Sequence, residues 1–158
     1  MIVTDDGDFT FRLTRPEFHI EKRYFFRAFG ALDEGKAAAL RRGGTLFGNG
    51  TPARPAEILD FSMSTVSESA PFIPEEKRAR ALRNPGGCVV SGVISVTEGK
   101  RHEVKLLLRS VGCSVFCLKR LSMGEITLGE NLAPGEFREF TPEEREFAER
   151  LRKVFIEL

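Results

Sequence analysis

Cysteine, histidine and tyrosine are scarce in this chain and tryptophan is absent: its 158 residues hold three Cys, two His and one Tyr, against 14 Phe. Cys88, Cys113 and Cys117 are too few and too irregularly spaced for a disulfide framework or a zinc site. They are expected to be buried, reduced thiols of a cytoplasmic protein, with no bound metal. No apolar run approaches the roughly 20 residues that span a bilayer, so no membrane partner is expected. Met1-Ile-Val-Thr-Asp-Asp6 does not read as a signal peptide. The glycines around Phe47-Gly-Asn-Gly-Thr51 have neither the Walker spacing nor the dinucleotide-binding pattern, which excludes those phosphate-cradling loops.

What the chain does have is charge, unevenly spread. The formal net charge is only +1. From Phe9 to Arg120, however, 19 Lys and Arg face 11 Asp and Glu, while residues 121–158 carry 5 against 9. A basic body with an acidic tail suits a polyanionic partner, most simply RNA. A chain of this length buries about 68–70% of its unfolded surface, enough for one domain without staples.

In order, Asp5-Asp-Gly-Asp8 supplies capping carboxylates for a short helix over 8–14, which Pro16 ends. Glu21 to Phe29 is dense in aromatics and alternates, so it is predicted to be a strand. Lys22, Tyr24, Phe26 and Ala28 then share one face; Arg23, Phe25, Arg27 and Phe29 take the other. Asp33 to Arg42 has acid in its first turn and Arg41-Arg42 in its last, matching the helix dipole, before Gly43-Gly44 stops it. Phe47 to Thr51 is predicted to be a hairpin-type turn and residues 55–63 a strand. Ser64 to Gly87 carries three prolines and the basic cluster Lys77-Arg78-Ala-Arg80-Ala-Leu-Arg83. It is expected to be an inserted mobile loop, or, on a sharper reading, to form helical turns over Glu75–Arg83 that offer arginines to phosphates.

The pattern is strongest around Glu98-Gly-Lys-Arg-His-Glu-Val-Lys105. The run Val89 to Thr97 is β-branched and apolar, a buried strand that stops at Glu98-Gly99. A helix then extends to Gly112, with Val104, Leu107, Leu108 and Val111 as its apolar stripe. Arg101, Lys105 and Arg109 recur every four residues, so their charges line one face. Such a row is either a solvated basic face or a seat for phosphate or carboxylate. Ser114 to Leu121 alternates as the next strand, with Val115, Cys117 and Lys119 on one side and Phe116, Leu118 and Arg120 on the other. Thr141-Pro-Glu-Glu144 is a capping box opening a last helix with Phe147, Leu151, Val154 and Phe155 inward.

Three phrases, E-G-K-x-H-x-V-K at 98–105, G-x-x-V-x-x-L-K-R-x-x-M-G at 112–124 and L-x-P-G-E-x-R-E-x-T-x-E-E at 132–144, resemble ribosomal RNA pseudouridine synthases of the small-subunit synthase A type. Thr4-Asp-Asp-Gly7, Leu13-Thr-Arg-Pro16 and Lys22-Arg-Tyr24 extend the resemblance, which covers about residues 3–144. It implies isomerisation of uridine to pseudouridine: the bond from ribose to the uracil nitrogen breaks, the uracil turns, and it rejoins through carbon. It also implies that Tyr24 lies over the target base, that Lys105 is the cation paired to a catalytic aspartate, and that Leu118 walls the uracil. No cofactor is implied. Lys22, Arg23, Lys100, Arg101, His102, Lys119 and Arg120 would surround the cleft and bind ribosomal RNA.

The family's nucleophilic aspartate, in a G-R-L-D phrase, has no counterpart here, because Asp5, Asp6 and Asp8 follow the relevant strand rather than precede it. The chain is expected to be the C-terminal part of a catalytic domain, inactive alone, the alternative being a non-catalytic RNA-binding module. The expected fold is α+β, a mixed, mainly antiparallel sheet with packed helices, forming one domain over residues 1–158. A missing strand would leave an exposed sheet edge through which the chain could form a homodimer.

Overall fold

The structure, a computed structural model, describes residues 1–45, 50–100, 102–129 and 132–153. Helix α1 (Gly7–Thr14) is capped by Asp6, whose Oδ1 accepts a 2.9 Å hydrogen bond from the Phe9 amide. Strand β1 (Lys22–Phe29) follows, then α2 (Glu34–Arg42), capped by Asp33 and ended by Gly43 at φ 71°. Strand β2 (Glu57–Thr65) leads into a short α3 (Val66–Ser69), a 3-10 turn (Ala70–Phe72) and α4 (Glu75–Ala81). Strand β3 (Cys88–Val96), helix α5 (Glu103–Ser110), strands β4 (Ser114–Met123) and β5 (Ile126–Thr127), and α6 (Pro142–Arg152) complete the order. The expectation of an α+β architecture is met.

Strand β1 lies in the middle of a five-stranded antiparallel sheet ordered β2-β3-β1-β4-β5. Its alternation divides the chemistry between two faces. Lys22, Tyr24, Phe26 and Ala28 share the face covered by α2 and α5, where Tyr24, Phe26 and Ala28 form or border the main core with Val90, Ile94, Leu40, Leu107 and Leu108. This core closes tightly: a Cβ on Gly92 would stand 2.4 Å from the Asp60 carbonyl oxygen, at the bulge in β2. A second core joins Phe9 and Leu13 of α1 to Met123, Ile126, Phe147 and Leu151. Gly124, at φ 59°, is required there, because a side chain would meet the Phe147 ring at 2.4 Å.

Four expectations need correcting. Residues 64–87 are not an open loop: Ser64 and Thr65 end β2, and two short helices and a 3-10 turn follow, started by a Thr65–Glu68 capping box, so the helical turns expected over Glu75–Arg83 are present as α4. The central helix runs over 103–110 rather than from Arg101 to Gly112, since His102 precedes it in left-handed geometry and Gly112 follows at φ 83°. In β4 the alternation breaks at a bulge opposite Arg27 and Ala28, so Val115 shares the helix-covered face with Leu118 instead of opposing it. Cys88 is exposed and Cys117 half-buried; only Cys113 is buried. Arg101, Val154, Phe155 and most of the turn predicted at 47–51 lie outside the described residues.

Among the described residues, β2 and the first eight residues of β4 each have a neighbouring strand on one side only. No described helix is long and apolar enough to cross a membrane.

Candidate functional site

Where β1 begins and β3 and β4 end, the start of α5 overhangs the sheet and leaves a cleft of about 370 Å³. Each element contributes for a local reason. Alternation along β1 turns Lys22 and Tyr24 to the same side, and antiparallel pairing aligns them with β4, Tyr24 opposite Arg120 and Phe26 opposite Leu118. The β3 strand stops at Glu98-Gly99, and the chain reverses through left-handed His102 into α5, bringing Lys105 over the opening.

The floor carries buried charge. Lys22 is only 3% exposed, and its ammonium donates a 3.0 Å hydrogen bond to the Ile20 carbonyl. Burial lowers its pKa, the Glu103 carboxylate opposes this, and Arg120 adds to it. Glu103 is itself buried; its pKa rises from 4.5 to about 7, first through burial and then through the charge and hydrogen bond of Glu98. For Glu98 burial also disfavours ionisation, but the Lys100 ammonium at 3.0 Å, the Arg54 amide at 3.2 Å and Glu103 outweigh it and hold the group low. Arg54 in turn touches the His19 ring. The two carboxyls thus behave as an acid and its conjugate base, Glu103 donating and Glu98 accepting.

Above this floor the cleft is cationic and open. Lys105, Leu118 and Arg120 are exposed, and neither cation takes part in an ion pair among the described residues. An apolar wall from Leu118 and the half-buried Tyr24 ring stand beside them. A flat, weakly polar ring with anionic attachments suits this geometry: ring against Tyr24 and Leu118, anion against Lys105 and Arg120.

Of the residues predicted from sequence, Lys22, Tyr24, Lys100, His102, Lys105, Leu118 and Arg120 line this one cleft. Arg23 and Lys119 do not. Pairing turns Arg23 with Ser95, and Lys119 with Phe25, to the opposite face of the sheet, where Arg23 lies 3.0 Å from Glu21. Thr14, Glu103 and Met123 line the cleft without having been predicted. Glu103 was legible in principle: it stands four residues before Leu107, on the buried stripe of the helix, where an isolated carboxylate requires a partner. No aspartate lines the cleft among the described residues; Asp6 caps α1 and contacts Arg152. No group of three potential metal ligands comes together there either.

No family model matches the chain. It is 33% identical over 144 residues to an uncharacterized RNA pseudouridine synthase of Bacillus subtilis, covering 91% of this chain and 51% of the relative. Against the ribosomal small subunit pseudouridine synthase A of Yersinia pestis it is 31% identical over 144 residues, 91% of this chain and 50% of the relative. A crystal structure of a pseudouridylate synthase superposes with a TM-score of 0.65 at 28% identity, covering 94% of this chain and 52% of the other. Over the aligned span the chain is homologous to ribosomal pseudouridine synthases of the synthase A type, and its α+β fold is pseudouridine-synthase-like. The chain spans about half the length of the curated relatives it matches.

Proposed function

We propose that this cleft is the uridine site of a pseudouridine synthase catalytic domain acting on ribosomal RNA in the cytoplasm, and that residues 1–158 form the C-terminal part of that domain with 64–87 as an insertion. The observation that supports it is convergence: Tyr24 from a strand, Lys105 from a helix and Leu118 from another strand line one opening, although they lie far apart in sequence. In this reading a uridine leaves its stack and enters the cleft. Its ring packs between Tyr24 and Leu118, while Arg120 and His102 meet flanking phosphates. Lys105 offers its ammonium to the carboxylate that attacks the sugar. The net change balances without a cofactor: the bond from C1′ to N1 breaks, the bond from C1′ to C5 forms, and the C5 proton ends on nitrogen.

The carboxylate is the element that the described cleft does not supply. Glu103 is buried beneath the opening, tied to Glu98 and favoured in its neutral form up to about pH 7, so it cannot serve as a ready nucleophile. The chain on its own is therefore expected to bind RNA without isomerising it, which is the property of an RNA-binding module derived from such an enzyme. The two open strand edges further support a homodimer as a partner state.

Two measurements test this. Fluorescence anisotropy with single-stranded ribosomal RNA fragments should show binding that weakens with salt, by roughly 0.7 log units per log unit of salt for each phosphate neutralised. Lys105→Ala and Arg120→Ala should each weaken it and flatten that slope. Nucleoside analysis by mass spectrometry should find no pseudouridine made by the purified chain. Binding indifferent to salt would remove the RNA reading; turnover above background would mean that a carboxylate of this chain does reach the sugar.

A further inference from the structure

A second and larger cleft, of about 580 Å³, lies at the other end of β1, where β1 finishes and β3 and β4 begin. Phe29 stands five positions after Tyr24 and therefore on the opposite face of β1, so the two clefts are offset by roughly 17 Å along the strand and open on opposite faces of the sheet. None of the residues lining the first cleft lines the second. Its floor holds two half-buried rings, Phe29 and Phe116, with centroids 4.6 Å apart at an interplanar angle of 38°. Its wall is the helical excursion between β2 and β3. That wall is fixed: the Val66 amide donates to the Gly87 carbonyl at 2.8 Å, the Ser67 amide to Pro85 at 3.0 Å, and the Arg78 guanidinium holds the Ile73 carbonyl at 3.0 and 3.2 Å.

The charged residues lining this cleft are Lys77 and Arg80, one helical turn apart on α4, both exposed and neither in an ion pair among the described residues. Among the described residues no carboxylate lines it. An aromatic floor under two unpaired cations selects a flat ring carrying an anion, and rejects acidic peptides that lack the ring and neutral aromatics that lack the charge. A cleft of this size accepts a nucleotide with room to spare.

We propose that this cleft is a second RNA contact, in which one unpaired base stacks on the Phe29–Phe116 pair while Lys77 and Arg80 hold its phosphates. The inference rests on the RNA reading of the first cleft and adds a site to it. It assigns the excursion over 64–87 a role, since α4 supplies both cations. A single strand seated in both clefts gains the second contact only when it is long enough to pass round the edge of the sheet from one face to the other.

The test uses the full chain, two oligouridylates and free uridine 5′-monophosphate. One oligonucleotide is long enough to bridge the clefts and the other spans only one. In anisotropy titrations the double variant Lys77→Glu/Arg80→Glu should bind the long strand about tenfold more weakly and the short strand unchanged, as loss of local phosphate contacts requires. Phe116→Leu, which keeps apolar volume but removes the ring, should do the same to a smaller degree. Equal binding of the long strand by the variants and the parent chain overturns the second contact while leaving the first intact. Equal weakening of both lengths overturns it too, since it marks a general charge effect. If the parent chain binds neither strand, the RNA reading fails, and amide NMR shifts on adding the mononucleotide decide the cleft by itself. Shifts confined to the Gly87 and Phe116 region uphold a nucleotide site there, and their absence overturns it.

Discussion

At the scale of single residues, the site was legible wherever strand alternation alone decides direction. Tyr24 shares a face with Lys22 because they stand two positions apart in a strand, and the structure keeps that relation. Arg23 and Lys119 were assigned to the same cleft by the family resemblance, and the same alternation turns both away. Glu103 escaped notice although its place on the apolar stripe, four residues before Leu107, marked it as buried; its partner Glu98, just past the end of the preceding strand, is what the spacing did not show. The pH behaviour of Glu103 follows from the sign of its shift. A carboxyl raised from 4.5 to about 7 on folding contributes its full stability below 4.5 and loses it as pH climbs through 7. Glu98, held low, works oppositely and weakens the fold only in acid. Glu103→Gln keeps a donor for Glu98 without the charge. It should match the parent in urea melts near pH 5 and exceed it by about 1–3 kcal/mol near pH 8. Identical pH profiles for the two proteins would show that Glu103 is not protonated in the fold.

At the scale of elements, caps and stripes were readable and the contacts that anchor them were not. The Thr141–Glu144 box was plain from its spacing, and it starts α6 as expected. Nothing local foretold that Glu144 would also accept from Arg138 at 2.6 and 2.7 Å and from the β5 amide of Thr127 at 3.1 Å, clamping α6 to the sheet. Arg138 first, then the Thr141 and Thr127 amides, hold the Glu144 pKa at about 2 despite burial. A second box at Thr65–Glu68 was present in the sequence but hidden by surrounding serines and prolines, which read as loop. The β4 bulge was out of reach, because it depends on what β1 presents across the ladder. Glu144→Ala removes a cap and strands the Arg138 charge, so it should cost about 2–4 kcal/mol in thermal or urea unfolding. The parent chain should lose the same contribution in acid, as pH falls below 4.5 towards 2. A loss under about 0.5 kcal/mol, the usual range of a surface substitution, would show that the clamp is not formed.

At the scale of the whole molecule, the order β2-β3-β1-β4-β5 makes β1 the protected centre and leaves two edges of unequal risk. The β4 edge carries Lys119 and Arg120, exposed cations that repel a like strand. The β2 edge has no lysine, arginine or proline over its nine residues, and it exposes Leu59 and Met63. Its bulge between Ile58 and Asp60 disturbs one end only; from Asp60 to Thr65 the ladder to β3 is regular. A second copy could therefore add its own β2 antiparallel about a two-fold axis, an isologous contact that buries those side chains and pairs the free amides. Light scattering and sedimentation should then detect weak, concentration-dependent dimers. Met63→Lys, outward on the regular half of that edge, should abolish them with little change in melting temperature, and Lys119→Ala should leave them intact. A strictly monomeric chain at high concentration, or dimers that survive Met63→Lys and vanish with a change in β4, would move the contact away from β2.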